Sequence, residues 1–179
     1  MFINMNFIEN IKDAGKIEIS LSSGEKVELP LINITFDEWI GKTDFDFGKK
    51  PFINYNNEPI FAEFAILRLF INSGWSGVWV ETYGGVHFLN SMPGDWKLNK
   101  NNISIPMDKE ELLKSIWKAG KTKACFDIFI WKNDKVIFCE SKHKGKDRLT
   151  KGQIKFIEGA LSCGMTKDSL LIVEWEYKK

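Results

Sequence analysis

Only three cysteines, Cys125, Cys139 and Cys163, occur among 179 residues, and none forms a CxxC pair. That excludes a zinc ribbon or a dithiol redox centre and makes a reducing cytoplasm the expected compartment. Histidine is scarce, with His87 and His143 alone; His143 reads as a solvated loop residue, the alternative being contact with phosphate or help in proton transfer. No run of about 18 uncharged apolar residues occurs, so a membrane-spanning helix is not expected. The richest stretch, Ile60 to Ile71, is broken by Glu63 and Arg68. Met1 to Asn10 carries no basic segment and no small-residue cleavage site, so no secretory leader is expected. No Gly-rich phosphate loop of Walker type is found, so a nucleotide cofactor is not indicated.

What is present can fill a core: 44% of residues are apolar and 27% charged, which excludes a wholly disordered chain. The length suits one domain of ordinary size, or one domain with a small appendage. A net charge of +1 conceals an asymmetry. Residues 1–110 hold 10 Lys+Arg against 15 Asp+Glu, whereas residues 111–179 hold 15 against 9. Basic charge is densest where Lys142, Lys144, Lys146, Arg148, Lys151 and Lys155 face only Asp147. Such a run is either a solvated face or a surface for a polyanion.

Along the chain, Met5 to Ala14 reads as a short helix. Lys16 to Leu21 and Lys26 to Phe36 read as two strands around Ser22-Ser23-Gly24. The spacing of Thr35 and Glu38 predicts a helical turn near Asp37. Gly41 to Asn57 reads as a loop, and a boundary is placed after residue 58: an N-terminal α+β extension, 1–58, and a core domain, 59–179. A buried helix follows, with Pro59 in its first turn and Ser73-Gly74 as its stop. Val78 to Tyr83 reads as a strand, Gly84 to Ile105 as irregular, and Asp108 to Ala119 as an amphipathic helix capped by Asp108. Cys125 to Trp131 and Val136 to Glu140 form strands around Asn133-Asp134. Thr150 caps a helix to about Cys163, and Ser169 to Glu176 is the final strand.

The second hairpin carries the chemistry. With Asn133-Asp134 as a two-residue turn, Trp131 faces Val136 and Asp127 faces Glu140, and Asp127, Glu140 and Lys142 project from one sheet face. Phe126 is placed with Ile128 and Ile130 on the opposite face. Directly opposed side chains lie roughly 4.5–5.5 Å apart at Cβ, and two carboxylates so placed repel. A shared proton, a cation or a metal ion must offset that. Hard divalent ions take oxygen ligands, often one or two carboxylates plus water and phosphate. Glu63, early in an otherwise apolar helix, is tilted toward packed structure and is a further candidate; Glu81 on the next strand is another. Phosphodiester hydrolysis needs such a metal, a cation near the attacking water, and a basic surface for the backbone.

Asp127, then Glu140-Ser141-Lys142 at the end of the next strand, then Gln153 on the following helix, resembles the PD-(D/E)xK nuclease superfamily. The run from Phe126-Asp127 through Glu140-Ser141-Lys142 to Asp147-Arg148-Leu149-Thr150 and Gln153 is most similar to its VRR-NUC branch. The resemblance implies a restriction-endonuclease-like αβββαβ core: a central mixed sheet flanked by helices, with the helix near 108–119 as an insertion. It implies a deoxyribonuclease dependent on Mg2+ or Mn2+. Asp127, Glu140 and the Ser141 carbonyl would hold the ion. Glu63 would hold a second ion or an ordered water. Lys142 would orient the nucleophilic water and Gln153 the site or the phosphate. Lys144, Lys146, Arg148 and Lys151 would grip DNA, with a homodimer left open. Two rivals stand beside this reading: a non-catalytic nucleic-acid-binding or assembly module on the same fold, and an interaction protein whose acidic N-terminal part meets a basic partner.

Overall fold

The structure, a computed structural model, describes residues 11–43, 50–82, 84–93 and 102–179. Strands β1 (Ile11–Ser20) and β2 (Lys26–Glu38) form an antiparallel hairpin. β2 alternates: its first half buries Val27 and Leu29 on one sheet face, its second half Ile32, Ile34 and Phe36 on the other. The short strands β3 (Ile53–Tyr55) and β4 (Glu58–Ile60) form a second hairpin that continues from the end of β2. Then come helix α1 (Ala62–Asn72), strands β5 (Ser76–Glu81) and β6 (His87–Leu89), helix α2 (Met107–Gly120), the hairpin β7 (Ile128–Lys132) and β8 (Lys135–His143), helix α3 (Lys151–Ser162), a 3-10 turn at Lys167–Ser169, and strand β9 (Leu170–Tyr177).

The result is an α/β protein in which the described residues make one mixed sheet of nine strands and three helices. Strand order is β4-β3-β2-β9-β8-β7-β5-β6, with β1 on the edge of β2 away from β9. β9 runs parallel to both β2 and β8; the remaining pairs are antiparallel. The N-terminal hairpin therefore continues the same sheet.

One face is covered by α1, whose Phe64, Ala65, Ile66 and Leu67 are fully buried against Ile128, Ile130, Cys139 and Val173. The other is covered by α2 and α3 over Phe126, Phe129, Phe138, Leu170 and Ile172. Burying each such Phe, Leu or Ile contributes roughly 1.5–3 kcal/mol. α2 and α3 cross at Gly120 and Gly159, where a side chain would collide with the Lys155 and Ile116 carbonyl oxygens. That close approach seats Phe156 and Ile157 of α3 deep in the second face.

Several expectations are corrected. Residues 11–14 belong to β1, not to a helix; the rest of that expected helix lies outside the described residues. No helical turn begins at Asp37, because β2 runs through it and pairs with β3. The expected loop 41–57 contains β3, and 44–49 lies outside the described residues. Pro59 sits in β4, and α1 starts only at Ala62. The stretch 84–105 contains β6. α2 begins at Met107, behind Pro106, so Asp108 lies inside its first turn rather than capping it. Phe126 packs with Phe129, Phe138 and Phe156 on the second face, because the chain bends at Asp127 before β7 begins.

Candidate active site

The β7–β8 register is the one a two-residue turn requires: Trp131 faces Val136 and Ile128 faces Cys139. Asn133 permits it with a left-handed φ of 53°. The ladder stops there. Asp127 lies one step beyond, at the bend, with its backbone oxygen accepting the Val80 N–H over 2.7 Å. Its carboxylate is not simply left facing Glu140: Oδ2 accepts the Ser141 N–H over 2.9 Å. This bond takes over where the ladder ends and pins Asp127 to β8.

Glu140 is 1% exposed. Its Oε1 takes the Lys142 ammonium at 2.7 Å and the Gln153 side-chain amide at 2.6 Å. Its Oε2 is buried and has no hydrogen-bond partner; the Ser141 hydroxyl is likewise buried and unpartnered. An ionised oxygen in that state is costly unless a proton or a cation meets it.

Gln153 links the pair to α3. Thr150 and Gln153 form a reciprocal capping box, Thr150 Oγ1 accepting the Gln153 N–H and Gln153 Oε1 the Thr150 N–H. The same Oε1 lies 3.3 Å from Lys142 Nζ. One side chain thus caps a helix, donates to the buried carboxylate and accepts from the lysine.

Glu63 enters from the first turn of α1, on the opposite sheet face, with only 13% of its side chain exposed. Its charge reaches both Asp127 and Glu140. Its direct partner is Lys50, 2.8 Å away. The Lys50 ammonium also lies 4.6 Å from the ring centre of Phe61 and 5.0 Å from that of Trp79. Burial pulls the Lys50 ammonium down, but Glu63, Asp127 and Glu81 outweigh it, and the net direction is up. Lys50 is firmly a cation here.

The electrostatics are those of crowded, sheltered carboxylates. Burial, then the Glu63 charge, pushes Asp127 up to about 7, against the opposing pull of Lys50, the Ser141 N–H and Lys142. Burial and Asp127 push Glu140 well above the usual carboxylate range, with Lys142 opposing. Burial, reinforced by the same two acids, drives the Cys125 and Cys139 thiols up as well, so both stay neutral and unsuited to nucleophilic work. All three cysteines are free.

Among the described residues, no three Asp, Glu, His or Cys side chains are gathered tightly enough to form a finished metal centre. The donors nevertheless suit a hard divalent ion. They are carboxylate oxygens, one of them the orphaned Glu140 Oε2.

Beyond the site, Lys144, Lys146, Arg148 and Lys151 are exposed. The first is tied to Glu176 at 3.1 Å. The loop is a tight turn: Asp147 accepts the His143 N–H over 2.9 Å, and its own N–H returns to the His143 oxygen. His143 is 8% exposed, contrary to the solvated residue expected. It stacks on Trp175 with ring centres 4.1 Å apart, and burial lowers its pKa. The parallel strand β9 brings Trp175 beside it. A pairing that distant in sequence left no local trace.

Lys50 is the member of the site that sequence reasoning missed. It sits in a stretch read as a loop, next to Pro51, and only the tertiary fold brings it to Glu63. No family model, curated protein or solved structure matches this chain.

Proposed function

We propose that this chain is a Mg2+- or Mn2+-dependent nuclease that hydrolyses DNA phosphodiesters, with β5, β7, β8 and β9 flanked by α1 and α3 as a restriction-endonuclease-like core. The observation that carries the reading is the buried, unpartnered Glu140 Oε2, set beside Asp127 and within one ion pair of Lys142. A binding module has no need of a sheltered acidic oxygen that would repel a polyanion. Free cysteines at Cys125, Cys139 and Cys163 fit a cytoplasmic setting.

Asp127 and Glu140, with the Ser141 carbonyl, would hold the ion. When bound, a hard divalent ion supplies Lewis acidity toward a phosphoryl oxygen and lowers the pKa of water. Lys142, with 12% of its side chain exposed, is paired with Glu140. Its ammonium orients the attacking water and stabilises negative charge developing on the phosphoryl group. Gln153 holds Glu140 and Lys142 in that geometry. Lys146, Arg148 and Lys151 are exposed and would neutralise backbone phosphates.

The test is incubation with plasmid, single-stranded and branched DNA in Mg2+, Mn2+ or EDTA. Cleavage with either metal, lost in EDTA and in Lys142→Ala, is the expected result. DNA binding without cleavage under every condition would favour the non-catalytic module.

A further inference from the structure

Lys50 already engages Glu63, the carboxylate expected to take a second ion or an ordered water. Its ammonium is 2.8 Å from Glu63. The other acidic charges it feels are Asp127 and Glu81. The rings of Phe61 and Trp79, 4.6 and 5.0 Å from Nζ, hold it from the apolar side. Carboxylate and aromatic contacts together restrict a side chain that is otherwise among the most mobile.

Resting on the nuclease reading, we infer that Lys50 is a built-in cation taking the place of a second divalent ion, so that the site binds a single ion, at Asp127 and Glu140. Two-metal sites hold their ions about 3.5–4 Å apart, and an ion bound directly to Glu63 would have to displace or abut the ammonium now paired with it. The division of labour follows. Glu140 keeps an unpartnered oxygen available for an ion, whereas Glu63 already has its cation. Glu63 is a positioning residue that holds Lys50, and Lys50 supplies fixed positive charge beside the reacting phosphate without needing to be loaded from solution.

Binding stoichiometry tests this on the full-length protein. Mn2+ titration followed by calorimetry and by the electron-spin signal of free Mn2+ should give one ion per chain in the parent. Lys50→Met keeps the apolar stem over Phe61 and Trp79 and removes the charge; it should bind two ions. Lys50→Met combined with Glu63→Gln should return to one, and Lys50→Arg should remain at one. Two ions in the parent would overturn the inference and leave the nuclease reading standing. One ion in a folded Lys50→Met protein, at parental affinity, would do the same. Should Lys50→Met fail to fold, Lys50→Gln, which also removes the charge, takes its place: two ions support the inference and one ion at parental affinity overturns it. Failure of the parent and of every variant to bind Mn2+ would overturn both the inference and the proposed function.

Discussion

Gln153 donates its side-chain amide to Glu140 Oε1 over 2.6 Å while its own oxygen accepts the N–H of Thr150, so the residue that starts α3 also fastens the buried carboxylate. Helix position and site geometry are therefore coupled through one side chain.

Gln153→Ala should break both links. Loss of the capping box costs about 1 kcal/mol, and Glu140 loses its donor. Urea denaturation should report a destabilisation of roughly 1–2 kcal/mol. Cleavage should fall more than that loss of folded protein explains. Gln153→Asn, too short to span the same gap, should resemble Ala.

Lys142→Ala should lower the cleavage rate about 100- to 1000-fold, with DNA affinity nearly unchanged. Lys142 opposes the upward push on Glu140, so without it the Glu140 carboxyl becomes still easier to protonate. The protein then avoids an uncompensated buried charge and should remain folded at neutral pH. Cleavage assays alongside thermal unfolding check both statements. A Lys142→Ala protein cutting at the parental rate removes the assigned role.

Acidity should leave a mark on stability. Asp127 is pushed up to about 7 in the folded protein, whereas an unfolded aspartate sits near 4. Between those values the ion-free folded state holds a proton that the unfolded chain has released. Its stability should fall as pH rises through that window, and Glu140 acts in the same direction. His143, with its pKa lowered, acts oppositely below its ordinary value near 6.5. The comparison with Asp127→Asn isolates the aspartate: between pH 4 and 7.5, the parent should lose roughly 1–3 kcal/mol relative to the variant. Mn2+ affinity should rise over the same range, because the ion needs the carboxylate ionised. Urea denaturation across a pH series, with and without Mn2+, measures both trends.

The basic loop should act through counterion release. Changing Lys144, Lys146 and Arg148 together to Ala should flatten the salt dependence of DNA binding, by a slope of roughly 0.9 for each phosphate no longer neutralised. Lys144 is already engaged by Glu176, so Lys144→Ala alone should contribute the least. An unchanged slope in the triple variant would mark the run as a solvated face.

The β7–β8 register was legible because a two-residue turn and strict alternation determine it, and so was the α3 start, where Thr150 and Gln153 carry a local capping signal. The same alternation places Glu140 and Lys142 together, and they form an ion pair. What was not legible depends on partners far along the chain. Residues around Asp37 read as a cap, yet they continue β2 because β3 and β9 offer backbone partners. His143 is buried by Trp175 across a parallel pairing. Lys50 looked like one more loop lysine until α1 delivered Glu63 to it.

The placement of β9 governs how the molecule can come together. Residues 170–177 lie between β2 and β8, in the middle of the sheet, and Lys178 closes the seam by reaching Asp37 at 2.8 Å. Until β9 inserts, β2 and β8 each present an unsatisfied edge, and the β8 edge carries Glu140, Ser141 and Lys142. Such long-range parallel pairing is slow, because loop-closure entropy is lost before the new pairings compensate. Folding should therefore be rate-limited by this insertion. The acidic cluster then takes its final form late, in the same step that seals the sheet, and a half-folded chain exposes sticky strand edges.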